Sequence, residues 1–302
     1  MISVIITTHN RLDDLKKAVE SVKQQTYKDI EIIVVDDNSD DGTKDYFESD
    51  PSIIYRFISS KEHKNGNYAR NQGIKLAKGN YIAFLDDDDV WFPTKLEKQL
   101  HIIKSRDCGM VYVARKFLVN EKYTFDEKID PRMVGDLKQE IFCNIISTTS
   151  CIMVKREVLN KVGAFDEELN YWQEYDLLTR ICMAYKAECV NEPLTLYRMN
   201  FSDKKRLSNK VEGFKEAVKR INSKYAADIK RLPEEIKHKR EAMIYAEIAN
   251  RYDLCGKRSM ARRYMWKSFC SLKNTKTFLK WVLCYTTRRK MMVKIALNKI
   301  KS

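Results

Sequence analysis

The first 120 residues alternate between short apolar segments of strand type and amphipathic segments of helix type. The strand-type segments are residues 2–8, 30–35, 53–58, 81–85 and 109–119. Runs that are apolar throughout are typical of strands buried on both faces of a sheet. Repeated β-α units of this length predict an α/β fold in which a mostly parallel, Rossmann-like sheet carries helices on both faces.

Local signals predict where several elements begin and end. Asn10 is placed to cap a helix that carries Leu12 and Leu15 on its apolar face, and Gly79 follows a predicted helix at residues 68–78 as its C′ residue. Later segments predict a strand at 150–155, a helix at 174–184, two closing strands at 187–191 and 194–199, and a helix-turn-helix unit at 242–272.

Charge is divided unevenly along the chain. The 302 residues carry a net charge of +14, but residues 201–302 hold 28 Lys/Arg and 9 Asp/Glu, which leaves residues 1–200 at −5. This asymmetry predicts two parts with different partners, a domain at 1–203 and a basic α-helical region at 204–302. The 44% hydrophobic content excludes a mainly disordered chain.

The eight cysteines include no CxxC pair and no histidine at metal-ligand spacing. The chain opens on a strand pattern rather than a signal peptide, so we expect reduced thiols and a cytoplasmic location. The longest apolar runs, such as residues 81–85, are far shorter than the ~18–20 residues that cross a bilayer. We therefore expect a protein that is not integral to the membrane.

Four consecutive aspartates, Asp86, Asp87, Asp88 and Asp89, follow the strand at 81–85. Like charges at the end of a packed strand are costly unless a cation compensates them, and carboxylate oxygens suit Mg²⁺ or Mn²⁺. Such an ion would bridge the phosphates of a nucleotide. The alternative is a solvated acidic loop that caps the next helix, but the position at a strand end favours a site.

Other polar side chains follow neighbouring strands. Asp36 and Asp37 either form an ordinary turn or accept hydrogen bonds from a nucleotide base, and Thr7 ends the first strand beside them. Arg70, near the start of a helix, either lies on the surface or binds phosphate or base through its fork. Ligands of such sheets bind at the carboxyl ends of the strands, where these residues fall.

Four linked motifs carry a family resemblance. They read S-V-I-I-T-T-H-N, I-I-V-V-D-D-N-S-D-D-G-T, N-G-N-Y-A-R-N-Q-G-I-K-L-A-K-G-N-Y-I-A-F-L-D-D-D-D and W-Q-E-Y-D-L-L-T-R. In order and spacing, residues 1–200 resemble the family 2 glycosyltransferases, inverting enzymes of the GT-A fold that use nucleotide-activated sugars. The C-terminal third lies outside the resemblance.

The resemblance implies roles for the residues that bind the nucleoside. Thr7 and Asp37 match the family's nucleoside contacts, with Asp37 on a uracil-type base and Asp36 as its neighbour. Arg70 matches the arginine that lies beside the base and the phosphate.

The resemblance also implies roles for the aspartate run. Asp86 and Asp88 are the outer residues of the family's D-x-D motif, and Asp88 matches the direct ligand of Mn²⁺ or Mg²⁺. Asp87 would face the donor ribose or sugar.

Inverting transfer needs a carboxylate that takes the proton of the acceptor hydroxyl. Glu174 stands where the family usually has an Asp base, and Gln173 replaces the first acid of that motif. Asp176 points to another side of the same helix, so only one of the two acids is expected to reach the substrate. The alternative interpretation of Glu174 is a solvated acid at the start of a helix. Trp172 could support an acceptor sugar ring, and Asn200 replaces a family histidine, which puts a third metal ligand in doubt.

The region 204–302 interleaves Lys and Arg with aromatic residues, as at 262–267 and 278–283. Basic amphipathic helices with Trp and Phe favour the surface of an anionic membrane. Nucleic acid is the other use of such charge, but no RNA-recognition or zinc motif supports it. A solvated helical bundle is the plain alternative.

Together, these patterns and the resemblance predict a metal-dependent transferase that moves one sugar from a nucleotide-sugar, a UDP-sugar, to a saccharide or lipid-linked acceptor. A place in polysaccharide biosynthesis is implied by the resemblance alone. It would act in the cytoplasm or at the inner face of the membrane. The Q-x-x-R-W signature of processive synthases is absent. The alternatives are a sugar nucleotidyltransferase, which needs a Gly-rich loop that residues 7–12 lack, and a non-catalytic adapter that binds membrane or nucleic acid.

Overall fold

The computed structural model describes residues 1–199 and 211–273. The strands are β1 (Ile2–Thr8), β2 (Ile30–Asp37), β3 (Ile53–Ile58), β4 (Tyr81–Asp86), β5 (Val90–Trp91), β6 (Met110–Val119), β7 (Tyr123–Asp126), β8 (Ile152–Lys155) and β9 (Ala187–Met199). The helices are α1 (Leu12–Lys23), α2 (Thr43–Phe47), α3 (Gly66–Leu76), α4 (Lys95–Ser105), α5 (Arg156–Val162), α6 (Gln173–Ala184), α7 (Val211–Lys224), α8 (Ala226–Arg231), α9 (Glu234–Leu254) and α10 (Arg258–Leu272).

The main path of the sheet has the order β3-β2-β1-β4-β8-β6-β9-β5. The neighbours β3, β2, β1 and β4 are parallel, as the β-α repeats predict, whereas β8 is antiparallel to both β4 and β6, and β5 is antiparallel to β9. Apolar side chains of β1, β2 and β4 are buried on both faces, which explains their continuous hydrophobic runs.

The strand register brings the predicted polar residues to one edge. Thr8 of β1 lies beside Asp36 of β2, and Thr7 lies beside Asp86 of β4. Three separate sequence motifs therefore meet at the carboxyl ends of adjacent parallel strands, where α/β sheets bind their ligands.

Helix α3 packs very closely on this part of the sheet. A Cβ atom added to Gly73 would lie 2.4 Å from Cγ2 of Ile5 and 3.3 Å from Cγ2 of Val35, so only glycine permits this approach. Asn65 caps the helix by accepting hydrogen bonds from the main-chain N–H groups of Asn67 and Tyr68. This packing fixes the position of Arg70 on the helix.

Several local features of the elements differ from the sequence prediction. Asn10 does not cap α1: its side chain accepts from the N–H of Asp40, and Asp41 accepts from the N–H of Leu12 at 2.8 Å instead. Helix α3 ends at Leu76, and Gly79 does not lie in the left-handed region. Strand β9 is continuous through Pro193, because β5 pairs only with later residues of that strand and leaves the proline without a required ladder bond on that side.

The chain divides into two compact units. The first comprises Met1–Leu118, Asp126–Lys138 and Ile146–Arg198, and the second comprises Val119–Phe125, Gln139–Ile145 and Met199–Ser302. The division at 203/204 stays a prediction, since that boundary and Asn200 lie outside the described residues, as do the basic segments after residue 273.

In the second unit, α9 and α10 form the helical hairpin that the pattern at 242–272 predicts. Gly256 in the connecting turn has a φ of +75°, and the small residues Ala249 and Ala261 are fully buried. In the part of the chain that the structure describes, no helix is both long and apolar enough to span a bilayer.

Lys95 in the first unit is a buried amine. It has no exposed surface, its Nζ donates to Oε1 of Gln99 at 2.8 Å, and it lies 3.7 Å from the ring centroid of Trp91. Burial lowers the pKa of Lys95 from 10.5 to about 7, against a smaller raising effect of Cys151. Above about pH 7 the folded protein therefore favours the neutral amine at this position.

We expect the Lys95→Met variant to change how stability depends on pH. Between pH 7 and pH 10.5 the unfolded wild type binds more protons at Lys95 than the folded one, so the wild type gains stability as the pH rises. As the pH rises across most of this window, the free energy of unfolding of the variant minus that of the wild type should fall by about 3 kcal/mol. Urea denaturation at a series of pH values measures this difference. A difference that is constant with pH would show that Lys95 stays charged in the folded protein.

Candidate active site

The aspartate run forms a tight turn between β4 and β5. The N–H of Asp89 donates to the carbonyl of Asp86 at 3.1 Å, and the N–H of Asp86 donates to Oγ of the buried Ser150 at 3.1 Å. Asp86 and Asp88 remain about a quarter exposed, whereas Asp87 and Asp89 are buried. The two outer residues of the predicted metal motif thus have accessible carboxylates.

An arginine that the sequence analysis did not select holds this turn. Arg11 donates from Nη1 to Oδ1 of Asp87 at 2.9 Å and lies 3.4 Å from Oδ2 of Asp88, while Thr8 donates to Oδ2 of Asp87 at 2.8 Å. Both carboxylate oxygens of Asp87 are therefore bonded within the fold, and its contact with a donor stays a prediction. The available signal was a cation just beyond the end of β1.

The aspartates still repel one another. Burial raises the pKa of Asp87 to about 6; Arg11 acts in the opposite direction, and Asp88 raises it further. Burial and the neighbouring carboxylates also raise the pKa of Asp89 well above its ordinary value, and no described residue donates a hydrogen bond to its Oδ2 atom. This part of the site has an excess of negative charge that a bound cation would relieve.

Arg70 connects the aspartate turn to a second acid. Its Nη2 donates to Oδ1 of Asp86 at 2.7 Å, and its guanidinium lies 5.5 Å from the ring centroid of Phe165. Burial raises the pKa of Glu174 above its ordinary value, with Arg70 lowering it and Asp86 raising it. Arg70, Asp86 and Glu174 are therefore close enough to interact electrostatically, and the structure brings these three predicted residues together.

Glu174 lies in the first turn of α6, two residues after the strained Trp172. Trp172 has a φ of +59°, a backbone conformation that bulky side chains rarely adopt, and such strain is common at functional sites. Its ring stacks on Tyr175 with centroids 4.5 Å apart, and it is 7% exposed. Only a small part of Trp172 is accessible to a sugar, and its role as a platform stays a prediction.

Asp176 occupies a different environment from Glu174. It has no exposed surface, and its Oδ2 accepts from both Nε and Nη2 of Arg180, at 3.0 Å and 2.8 Å. Arg180 also donates to three consecutive carbonyls, at Val162, Gly163 and Ala164. The Asp176–Arg180 pair thus anchors α6 to the end of α5, so the geometry favours Glu174 over Asp176 as the base.

The two aspartates after β2 also differ. Asp36 is fully buried, and its carboxylate accepts from the hydroxyl of Tyr55 at 2.6 Å and from the N–H of Ser39 at 2.9 Å. Oδ1 of Asp37 lies 2.8 Å from Nδ1 of the half-exposed His63. Asp36 supports the turn, whereas Asp37, which is 6% exposed, lies beside the half-exposed His63. Its contact with a base stays a prediction.

Two histidines flank Asp37 that the sequence analysis did not select. His9 Nδ1 lies 2.7 Å from the main-chain oxygen of Asp37 and therefore donates to it, and its ring centroid is 6.0 Å from that of His63. Among the residues that the structure describes, no group of three or more His, Cys, Asp or Glu side chains is arranged to hold a metal ion by itself.

Comparisons with known proteins show the family of the chain. A family model described as glycosyl transferase family 2 matches residues 3–163. The UDP-Glc:alpha-D-GlcNAc-diphosphoundecaprenol beta-1,3-glucosyltransferase WfaP of Escherichia coli is 30% identical over 229 residues, covering 74% of this chain and 84% of that protein. The amylovoran biosynthesis glycosyltransferase AmsB of Erwinia amylovora is 30% identical over 212 residues, covering 65% and 69%.

Solved structures show the same fold at low identity. S. aureus TarS 1-349 in complex with UDP-GlcNAc matches with a TM-score of 0.61 and 17% identity, over 90% of this chain and 81% of that chain. Mannosyltransferase PcManGT from Pyrobaculum calidifontis, in complex with GDP-Man and Mn²⁺, matches with a TM-score of 0.60 and 16% identity, over 98% and 84%. The family match argues against the nucleotidyltransferase and adapter alternatives, and the chain belongs to glycosyl transferase family 2, as a glycosyltransferase of the GT-A fold.

Proposed function

We propose that the protein is a metal-dependent inverting glycosyltransferase that moves one sugar from a UDP-sugar to a saccharide or lipid-linked acceptor. The observation that carries this proposal is the electrostatic cluster of Asp86, Arg70 and Glu174 at the carboxyl edge of the sheet. The cluster places two functions side by side: a motif that can bind a diphosphate, and an acid that can accept a proton. Both are required when a nucleoside diphosphate leaves and an acceptor hydroxyl attacks.

The donor set fits Mn²⁺ or Mg²⁺. Asp86 and Asp88 offer accessible carboxylates, and these cations are commonly held by one or two carboxylates together with substrate phosphates. Such a site therefore does not require a cluster of three protein ligands, and none is present among the described residues. A bound divalent ion would stabilise the negative charge of the departing diphosphate.

The chain's own residues supply the other functions. Glu174 accepts the proton of the acceptor hydroxyl, and its burial at the start of α6 keeps its pKa above the ordinary value, closer to neutral pH. Arg70 orients Asp86 and adds a positive charge beside the phosphates. Asp37 and Thr7 contact the nucleoside, with Asp36 holding the adjacent turn.

The acceptor class and location are inferred from relatives. WfaP is named for transfer to a sugar on diphosphoundecaprenol, and AmsB for amylovoran biosynthesis. We extend this to a lipid-linked acceptor in surface-polysaccharide assembly, reached from the cytoplasm at the inner face of the membrane. The basic C-terminal helices would contact that surface.

A donor screen tests the nucleotide preference. In the presence of Mn²⁺, UDP-sugars should raise the melting temperature of the protein more than GDP- or dTDP-sugars, because Asp37 selects a uracil-type base and a ligand that binds the folded state stabilises it. The matched control is the same screen with EDTA, in which the shifts should largely vanish. A larger shift with GDP-sugars would contradict the assignment of Asp37 to a uracil-type base.

A further inference from the structure

The second unit contains a groove of about 660 Å³ between α7, α8, α9 and α10. Buried apolar side chains, including Val218, Ile244 and Ile248, form part of its lining. Five cationic side chains also line it: Lys215, Lys219, Lys237, Arg240 and Lys267. Within the described residues the lining includes one carboxylate, Glu241, so the groove carries a net positive charge.

Most of these charges already have partners. Lys215, Lys219 and Lys237 each form an ion pair with a glutamate three residues earlier on the same helix. Glu241 accepts hydrogen bonds from the hydroxyl of Tyr245 at 3.1 Å and from Ser271 at 2.8 Å. The charge that is not compensated inside the groove therefore belongs to Arg240 and Lys267.

Arg240 is the unusual member of the set. It is 5% exposed, and no described residue accepts a hydrogen bond from its buried Nε and Nη2 atoms. The positions three and four residues away on α9 are Ile236, Lys237, Met243 and Ile244, none of which is acidic. A buried guanidinium without a carboxylate is costly for the folded protein unless an anion compensates it.

In two other arginines of this protein, the Nε and Nη2 atoms together bind a carboxylate. Arg115 donates from Nε and Nη2 to the two oxygens of Glu127, and Arg180 donates from Nε and Nη2 to Asp176. This planar pair of donors matches two oxygens of a carboxylate or a phosphate. In Arg240 the equivalent pair has no acceptor among the described residues.

We propose that this groove binds a phosphate-bearing ligand, with Arg240 as the bidentate donor and Lys267 as the second cation. The Nε and Nη2 atoms are covered by protein, so they can reach an anion in the groove only when the Arg240 side chain rotates. Such a rotamer change is common at binding sites. Lys267 lies 5.4 Å and 5.2 Å from the ring centroids of Tyr245 and Tyr264, and among the described residues no carboxylate forms an ion pair with it. The apolar lining strengthens the attraction by lowering the local dielectric constant.

Calorimetric titration of the full chain with sodium pyrophosphate tests the site. The buffer contains EDTA, so that Asp86 and Asp88 cannot bind the probe through a metal, and NaCl keeps the ionic strength constant. Arg240→Met should weaken binding at least about tenfold, because it removes hydrogen bonds to a charged group. Arg240→Lys keeps the charge but loses the paired donors, so its affinity for pyrophosphate should lie between those of the wild type and Arg240→Met.

Arg263→Met is the matched control, since Arg263 is an exposed residue of α10 that does not line the groove. It should bind pyrophosphate within about twofold of wild type. Equal weakening by Arg240→Met and Arg263→Met would show diffuse attraction and overturn the proposal. So would a large fall in the ligand-free melting temperature of Arg240→Met, since that would reveal a structural partner for the guanidinium.

Vesicles distinguish the source of the phosphate. Sedimentation with phosphatidylcholine vesicles, with or without roughly 30% phosphatidylglycerol, measures binding to lipid phosphate on an anionic surface. Binding to the anionic vesicles that Arg240→Met abolishes would support a lipid ligand, and binding to pyrophosphate alone would support a soluble diphosphate. Wild-type protein that binds neither probe would overturn the site without affecting the proposed transferase activity.

Discussion

The Glu174→Gln variant should lose sugar transfer by about 10²- to 10⁴-fold while it still binds the nucleotide-sugar. A neutral amide cannot take the proton of the acceptor hydroxyl, and loss of a general base has effects of this size. The loss should therefore appear in kcat, with little change in the Kd for the donor. Glu174→Asp, which restores the family's usual residue with a side chain one methylene shorter, should keep part of the activity.

The pH dependence of the wild type provides a second measurement. Glu174 acts as a base only when it is deprotonated, and burial raises its pKa above the ordinary 4.5. Activity should therefore fall as the pH drops through this raised pKa, and the acid limb should disappear from the residual activity of Glu174→Gln.

Asp176→Asn separates the base from its neighbour. Because Asp176 is fully buried and paired with Arg180, this variant should lose about 3 kcal/mol of stability, whereas Glu174→Gln should keep the wild-type melting temperature. Full turnover in Glu174→Gln, together with inactive but stable Asp176→Asn, would assign the base to Asp176 instead.

Asp88→Asn should weaken metal-dependent donor binding about a hundredfold or more. The substitution removes the charge of the proposed metal ligand, and metal-mediated stabilisation of a diphosphate is worth several kcal/mol. Calorimetric titration of UDP in the presence and absence of Mn²⁺ measures this loss.

The same variant should not destabilise the protein. Asp88 raises the pKa of buried Asp87, so removing its charge relieves repulsion, which offsets the loss of its 3.4 Å pair with Arg11. The melting temperature should therefore stay close to that of the wild type. Asp107→Asn is the matched control, because it makes the same chemical change on a side chain that is 96% exposed. Wild-type affinity for UDP and Mn²⁺ in Asp88→Asn would remove Asp88 from the metal site.

The strands and their polar ends could be predicted because each depends on local sequence. Continuous apolar runs marked β1, β2 and β4, and parallel strands necessarily bring their carboxyl ends to one edge. Asp86 and Arg70 were therefore identifiable before their contact was known, because each lies in a recognisable strand–turn or helix-start pattern.

The contacts that depend on three-dimensional register could not be predicted. The pairing of Arg11 with Asp87 spans 76 residues, and neither side chain reveals its partner in the sequence. Spacing on the helix showed that Glu174 and Asp176 face different ways, but only burial shows that Asp176 is the internal one. In the sequence, Arg240 looks like any other cation of a basic helix. Only the structure shows that its buried Nε and Nη2 atoms have no hydrogen-bond acceptor among the described residues.

The most direct test of the account measures nucleotide release by the full chain. The protein is incubated with UDP-, GDP- or dTDP-sugars and a lipid-linked saccharide acceptor, with Mn²⁺ or with EDTA. We predict that UDP is released from a UDP-sugar with Mn²⁺, that a single sugar is added to the acceptor, and that EDTA or Asp88→Asn abolishes both. Equal UDP release and sugar transfer in EDTA, or no release from any donor with Mn²⁺ or Mg²⁺, would contradict the account.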